Sequence, residues 1–151
     1  MMILLLIFSS GFRRDIIDIM HTITKKIYYH DTDCGGVIYY ANYLKYFEEA
    51  RTEFFVSVGS GVKELSQQGF LFVVKSVNIE YLKPGKYGDE LLISSQPARV
   101  KNVSIDFEQT IKRGDEYLVK AITRLVCVGS DFRPRAIPQE LLCRLEKTDT
   151  A

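Results

Sequence analysis

The chain predicts an α+β domain in which one long helix lies against an antiparallel sheet of about five strands. Three observations carry this prediction. Between Ala41 and Val58, apolar residues recur at Tyr43, Phe47, Ala50, Phe54 and Val58, while Lys45, Glu48, Glu49 and Arg51 occupy other faces; steps of three and four are the period of an amphipathic helix. From Phe70 to Val128, strand-like runs follow one another almost without a break. Nothing in the 151 residues reads as a linker, repeat or low-complexity segment, so one domain is expected. A helix with a single apolar stripe must bury it, and the apolar face of the sheet is the surface on offer.

The elements follow in chain order. Met1 to Phe8 is a continuous apolar run, far short of the roughly 20 residues that span a bilayer. Arg13 and Arg14 come after that run rather than before it, the reverse of a secretory signal. Residues 1–19 are therefore expected to be an N-terminal extension ahead of a second possible start at Met20, or else a short amphipathic element that docks on the fold; residues 20–151 form the domain. Thr22 to Tyr29 is β-branched and aromatic and predicts a strand, and His30 to Gly36 a loop. Asn42 is the expected N-cap of the long helix, without a capping box because Lys45 follows three residues on; Gly59 and Gly61 stop it.

A helical turn at Val62–Gln68 precedes strands at Phe70–Leu82, Glu90–Val100, Val103–Lys112 and Tyr117–Val128. The third of these alternates most clearly. Val103, Ile105, Phe107 and Ile111 are expected to face the core, and Ser104, Asp106, Glu108 and Lys112 to face water. Arg113 to Glu116 makes a hairpin turn, and Pro138 starts a closing helix that reaches about Lys147.

Composition narrows the function. With 20 Lys+Arg against 19 Asp+Glu the net charge is +1, which favours neither nucleic acid nor an anionic membrane as partner. Cys34, Cys127 and Cys143, with only His21 and His30 to join them, show no zinc spacing. No metal and no cofactor are expected. An odd, scattered set of thiols suits a reducing, cytoplasmic compartment, and Cys127 and Cys143 read as small buried residues.

The nucleophile elbow, the phosphate-binding loop, the dinucleotide-binding glycine pattern and the zincin motif are all missing from the sequence. What stands out is Tyr28-Tyr29-His30-Asp31-Thr32-Asp33-Cys34-Gly35-Gly36, set directly before the long helix. The first turn of a helix presents unpartnered N–H groups and a partial positive charge, a ready site for the oxygen of an acyl group. A thioester suits a single carboxylate beside such a site, because its leaving thiol, with a pKa of about 8.5 if it resembles cysteine, needs little help from an acid. Asp33 could attack the carbonyl or activate a water.

The stretch Tyr29 to Tyr43, with Phe47-Glu48-Glu49-Ala50-Arg51 and the segment Asp131 to Pro138, resembles the hotdog-fold acyl-CoA thioesterases. It is similar to the 4-hydroxybenzoyl-CoA thioesterase family, and most of all to its YbgC-type branch. The resemblance covers about Thr22 to Lys147. It implies a central helix wrapped by a curved antiparallel sheet, and dimers or tetramers with active sites at subunit boundaries. By the family's motif, Asp33 is catalytic, the Tyr40 backbone N–H contacts the thioester oxygen, and Tyr29 is a supporting group. Related enzymes often carry His or Phe where this chain has Tyr40.

Gly36 and Val37 are the expected substrate-binding backbone at the loop tip, and Arg99 and Lys101, with Arg133 and Arg135, are candidates for the coenzyme phosphates. The expected partners are an acyl-CoA substrate, an acyl carrier protein and further copies of the chain. Asp31 reads as a turn former, His30 as a loop residue and Cys34 as a small loop residue. Rival readings are a hydroxyacyl-thioester dehydratase that uses His30, a Cys34 nucleophile, and a non-catalytic acyl-CoA or acyl-carrier binding module.

Overall fold

The structure is a computed structural model and describes residues 19–145. The expected extension lies outside the described residues except for Ile19, as does the end of the closing helix at Lys147. Five strands form one antiparallel sheet: β1 (His21–Lys26), β2 (Leu71–Tyr81), β3 (Glu90–Val100), β4 (Ser104–Arg113) and β5 (Glu116–Val128). Their order across the sheet is β1-β3-β4-β5-β2. The long helix α1 (Asn42–Ser57) lies against the sheet, followed by a short α2 (Val62–Gln67) and a closing α3 (Gln139–Leu145).

Register shifts at Val74/Ser76 in β2 and Pro97/Arg99 in β3 bend these strands, since an extra residue on one side of a pair raises the local twist. Phe47, Ala50 and Phe54 of α1 are fully enclosed, and burying an aromatic side chain of this size contributes about 2–3 kcal/mol. Phe107 of β4 receives both Phe54 and Phe55 edge-on, at 5.1 and 5.8 Å between ring centres. The helix ends where expected. Gly59, at φ +72°, donates to the Val56 carbonyl while Ser60 N–H reaches Phe55 O, the closure that a left-handed residue permits.

Four expectations are corrected. Asn42 is not the N-cap: Ala41 is, and the Asn42 side chain reaches back 2.9 Å to the Asp31 carbonyl. Asp106 and Ser104 are buried rather than wet, and Asp106 finds its partner across the strands in Arg124 through two bonds of 2.6 and 2.7 Å. Cys143 is exposed, since Leu141, Leu142 and Leu145 form the buried face of α3.

The fourth correction is Arg51, which is expected away from the apolar stripe of the helix but is buried at 7% exposure. Gln109 stands at an inward position of β4 between Phe107 and Ile111, and its side-chain oxygen accepts from Arg51 Nη1 at 2.8 Å and from the Thr123 hydroxyl at 3.2 Å. Its amide donates to Ser95 Oγ and to the Phe47 carbonyl. This polar layer divides the core into two apolar clusters, one around Phe47 and one around Phe54.

Candidate active site

The first strand stops at Lys26, short of the expected Tyr29, and the chain enters a 3-10 turn at Tyr29–Asp31. Asp31 holds that turn. Its carboxylate accepts the Tyr46 hydroxyl at 2.7 Å and the Tyr28 N–H at 2.9 Å, and its carbonyl accepts from Tyr39 N–H and Asn42. Burial alone would raise its pKa. The two bonds, with the charges of His30 and Lys25, outweigh that and hold the carboxyl below its ordinary value. Burial first, then the bond to Asp31, pushes the Tyr46 hydroxyl up.

From Asp31 to Tyr39 the backbone folds into a miniature hairpin. Tyr39 N–H reaches Asp31 O, and Asp33 N–H reaches Val37 O at 2.9 Å. Gly36, at φ +75°, supplies the left-handed residue that this tip requires, and its N–H closes on Asp33 O at 3.0 Å. Gly35 N–H donates to Asp33 Oδ1 at 2.8 Å, whereas Oδ2 has no partner among the described residues. The Asp33 side chain is thus exposed and held by one oxygen. Val37 bridges to Lys86, tying the tip to the segment after β2.

Tyr40 follows directly, at the start of α1. Its N–H and that of Ala41 find no acceptor among the described residues, while its carbonyl accepts the Tyr81 hydroxyl at 3.0 Å. Beside it lies a groove of about 260 Å³ lined by Ile38, Tyr40, Tyr43, Tyr81, Leu82, Lys83 and Pro84. Tyr29, 72% exposed, stacks on Tyr87 with ring centres 3.8 Å apart and makes no bond to Asp33. His30 is exposed and stacks on Tyr28; its Nε2 lies 3.7 Å from the Asp31 carboxylate. Cys34 is exposed and bonded to neither.

Arg99 and Lys101 stand elsewhere. The Asp33 loop adjoins the end of the sheet where β2 finishes and β3 begins, whereas Arg99 and Lys101 sit where β3 finishes and β4 begins. Arg133 and Arg135 share that second end, because Arg135 N–H bonds Cys127 O and Ile137 N–H bonds Asn102 O. A strand the length of β2, with 11 residues, separates the two ends by about 33 Å. A single chain therefore does not bring these basic residues to Asp33. The sequence reading also missed Tyr46, Tyr81 and Gln109. Tyr46 lies three residues after Tyr43, in helical phase, so its burial was readable; its bond to Asp31 was not.

Among the described residues no three His, Cys, Asp or Glu side chains gather as a metal-ligand set, and no helix is long and apolar enough to cross a membrane. A long helix held in the curve of a five-stranded antiparallel sheet is the hotdog fold, here in the form used by enzymes that hydrolyse thioesters. Residues 35–120 match the family model described as the thioesterase superfamily, and the chain belongs to that family.

Relatives agree. The chain is 38% identical over 118 residues to the acyl-CoA thioesterase YbgC of Haemophilus influenzae, a match that covers 77% of this chain and 87% of that protein. It is 32% identical over 124 residues to the acyl-CoA thioester hydrolase YbgC of Escherichia coli O6:H1, covering 81% and 92% respectively. A solved 1,4-dihydroxy-2-naphthoyl-CoA thioesterase from Synechocystis shares the fold at a TM-score of 0.76 and 22% identity, over 83% of this chain and 94% of that one.

Proposed function

We propose that this enzyme hydrolyses acyl-CoA thioesters, with Asp33 as the reacting carboxylate and the Tyr40 N–H as hydrogen-bond donor to the thioester oxygen. One observation carries the assignment: an exposed carboxylate with a free oxygen lies in the same loop as two unpartnered N–H groups at the start of α1. Donors fixed in advance stabilise the oxyanion that develops as the carbonyl is attacked, and the partial positive charge of the helix adds to them. Gly35 N–H restrains Oδ1, which leaves Oδ2 either to attack the thioester carbon, forming an anhydride as the C–S bond breaks and the coenzyme thiolate leaves, with water then cleaving the anhydride, or to take a proton from a water that attacks the same carbon and expels the thiolate. Tyr29, Gly36 and Val37 border the approach, and the groove beside Tyr40 takes the acyl group.

The basic cluster joins this site through a second copy. The outer edge of β2 has no strand partner among the described residues, and an open edge is a template for pairing. Two β2 edges that meet antiparallel about a two-fold axis set the Arg99 end of one subunit beside the Asp33 end of the other. Arg99 and Lys101 of the partner subunit then face the coenzyme phosphates. Residues 20–151 make up the catalytic unit, an acyl carrier protein presents the same thioester chemistry, and a reducing cytoplasm suits the three free thiols.

The test is thiol release from short, long and aromatic acyl-CoAs by wild type, by Asp33→Asn and by Arg99→Ala/Lys101→Ala, each alone and mixed. At low substrate both variants are expected to be weak. Mixed in equal amounts, they should release thiol about two- to fivefold faster than the same amounts assayed apart, because half the dimers then hold one intact site of two. No recovery on mixing would sink the shared site, and full turnover by Asp33→Asn would sink the assignment of Asp33.

A further inference from the structure

Tyr81 ends β2 and reaches across to the start of α1, where its hydroxyl donates to the Tyr40 carbonyl at 3.0 Å. The strand beneath it is pinned. Tyr81 pairs with Val119 of β5, and the N–H groups of Leu82 and Lys83 both close on the Leu118 carbonyl. The Tyr81 ring lies 5.7 Å from that of Tyr43 and meets that of Tyr40 edge-on at 6.4 Å. The backbone just ahead of the helix is therefore held from the end of the sheet, by a side chain with few ways to move.

What the bond fixes is a peptide plane. The Tyr40 carbonyl and the Ala41 N–H belong to one planar trans amide and point in opposite directions, so fixing the first fixes the second. Ala41 has helical dihedrals, φ −74° and ψ −19°, and its N–H finds no acceptor among the described residues; it is one of the donors that a helix start leaves open. An amide whose oxygen accepts a bond is polarised, and its N–H becomes a stronger donor. Burial first, then the Tyr40 phenol, raises the Tyr81 pKa above its ordinary value, which keeps the hydroxyl protonated and donating at neutral pH.

We propose that Tyr81 is a positioning residue for the hydrolysis: its hydroxyl holds the peptide between Tyr40 and Ala41 so that the Ala41 N–H joins the Tyr40 N–H as a second donor to the thioester oxygen. The inference deepens the reading of Asp33 and Tyr40 and rests on it. The hydroxyl itself touches no reacting atom, and the ring stays a wall of the groove. Because the oxygen takes up its charge only as the carbonyl is attacked, the second donor acts on the transition state rather than on substrate binding.

Thiol release by Tyr81→Phe tests it, since that change removes the hydroxyl and keeps the ring. The value of kcat should fall about tenfold with KM within about twofold of wild type. The loss should be the same for short, long and aromatic acyl-CoAs, because the bond acts through the oxygen that all of them share. Tyr81→para-aminophenylalanine, which returns an N–H donor to the same place, should bring kcat back to within about threefold of wild type. The bond is exposed, so the urea midpoint of either variant should barely move.

A kcat for Tyr81→Phe within about twofold of wild type, a loss that falls on KM, a loss that differs between acyl groups, or a para-amino variant no better than Tyr81→Phe would overturn the role of Tyr81 and leave the assignment of Asp33 standing. A wild-type chain that releases no thiol, or Asp33→Asn with full turnover, would remove the underlying reading and this inference with it.

Discussion

The two sides of the loop before α1 face opposite demands. On its inner side, Asp31 accepts bonds from Tyr46 and Tyr28 and its carbonyl takes Asn42, so that every polar group is satisfied and the hairpin is anchored to the helix. On its outer side, two residues along, Asp33 keeps one oxygen free in the loop that leads to N–H groups with no acceptor among the described residues. The same residue type is structural where its bonds are all made and, in the proposed reaction, is the attacking or proton-accepting group where some are left open. Anchoring the inner side allows the outer side to stay unsatisfied without losing its geometry, which is what a preorganised site requires.

The sharpest way to separate the two sides is to neutralise each acid in turn. Asp33→Asn should lower thiol release by about 10³-fold and leave the urea midpoint where it was. Asp31→Asn should do the reverse, with a loss of about 1–3 kcal/mol in urea unfolding, because the Tyr28 N–H and Tyr46 hydroxyl lose their charged acceptor. Equal losses of stability in both variants would erase the contrast.

Acid gives a second handle on the inner side. The folded-state pKa of Asp31 lies below its ordinary value, so its contribution is fully present above the ordinary carboxylate range and fades as pH falls through the lowered value. The stability gap between wild type and Asp31→Asn should therefore narrow as unfolding is repeated at progressively lower pH; a gap that widens in acid contradicts the assignment.

Smaller effects sharpen the outer side. Arg99→Ala/Lys101→Ala should raise KM by about 3- to 10-fold at low salt with kcat nearly unchanged, since exposed charges add binding shared by ground and transition states. Added salt should shrink that difference. Tyr40→Phe should change turnover by no more than about twofold, because the donor assigned to that position belongs to the backbone; a larger loss would give the phenol a part in the reaction.

Much of this was readable in the chain. The helical phase of Tyr43, Phe47, Ala50 and Phe54, and the alternation in β4, located the elements within a few residues, because local periodicity reflects which face is buried. The reading failed where a polar residue sits on a buried face. Arg51, Asp106 and Asn42 all look like surface residues by type, and each is bonded in place by a partner on another element: Gln109, Arg124 and Asp31. Cys143 failed the other way, since a small thiol at a helix position carries no sign of which face it occupies.

What local order could establish was a helix, a set of strands and a loop rich in acids placed ahead of the helix, since spacing along the chain and turn chemistry act over a few residues. Long-range register settled the rest: which of two neighbouring acids is enclosed, which arginine enters the core, and how far Arg99 lies from Asp33. Enclosure depends on what stands across the sheet, and strands dozens of residues apart meet only once the fold has closed.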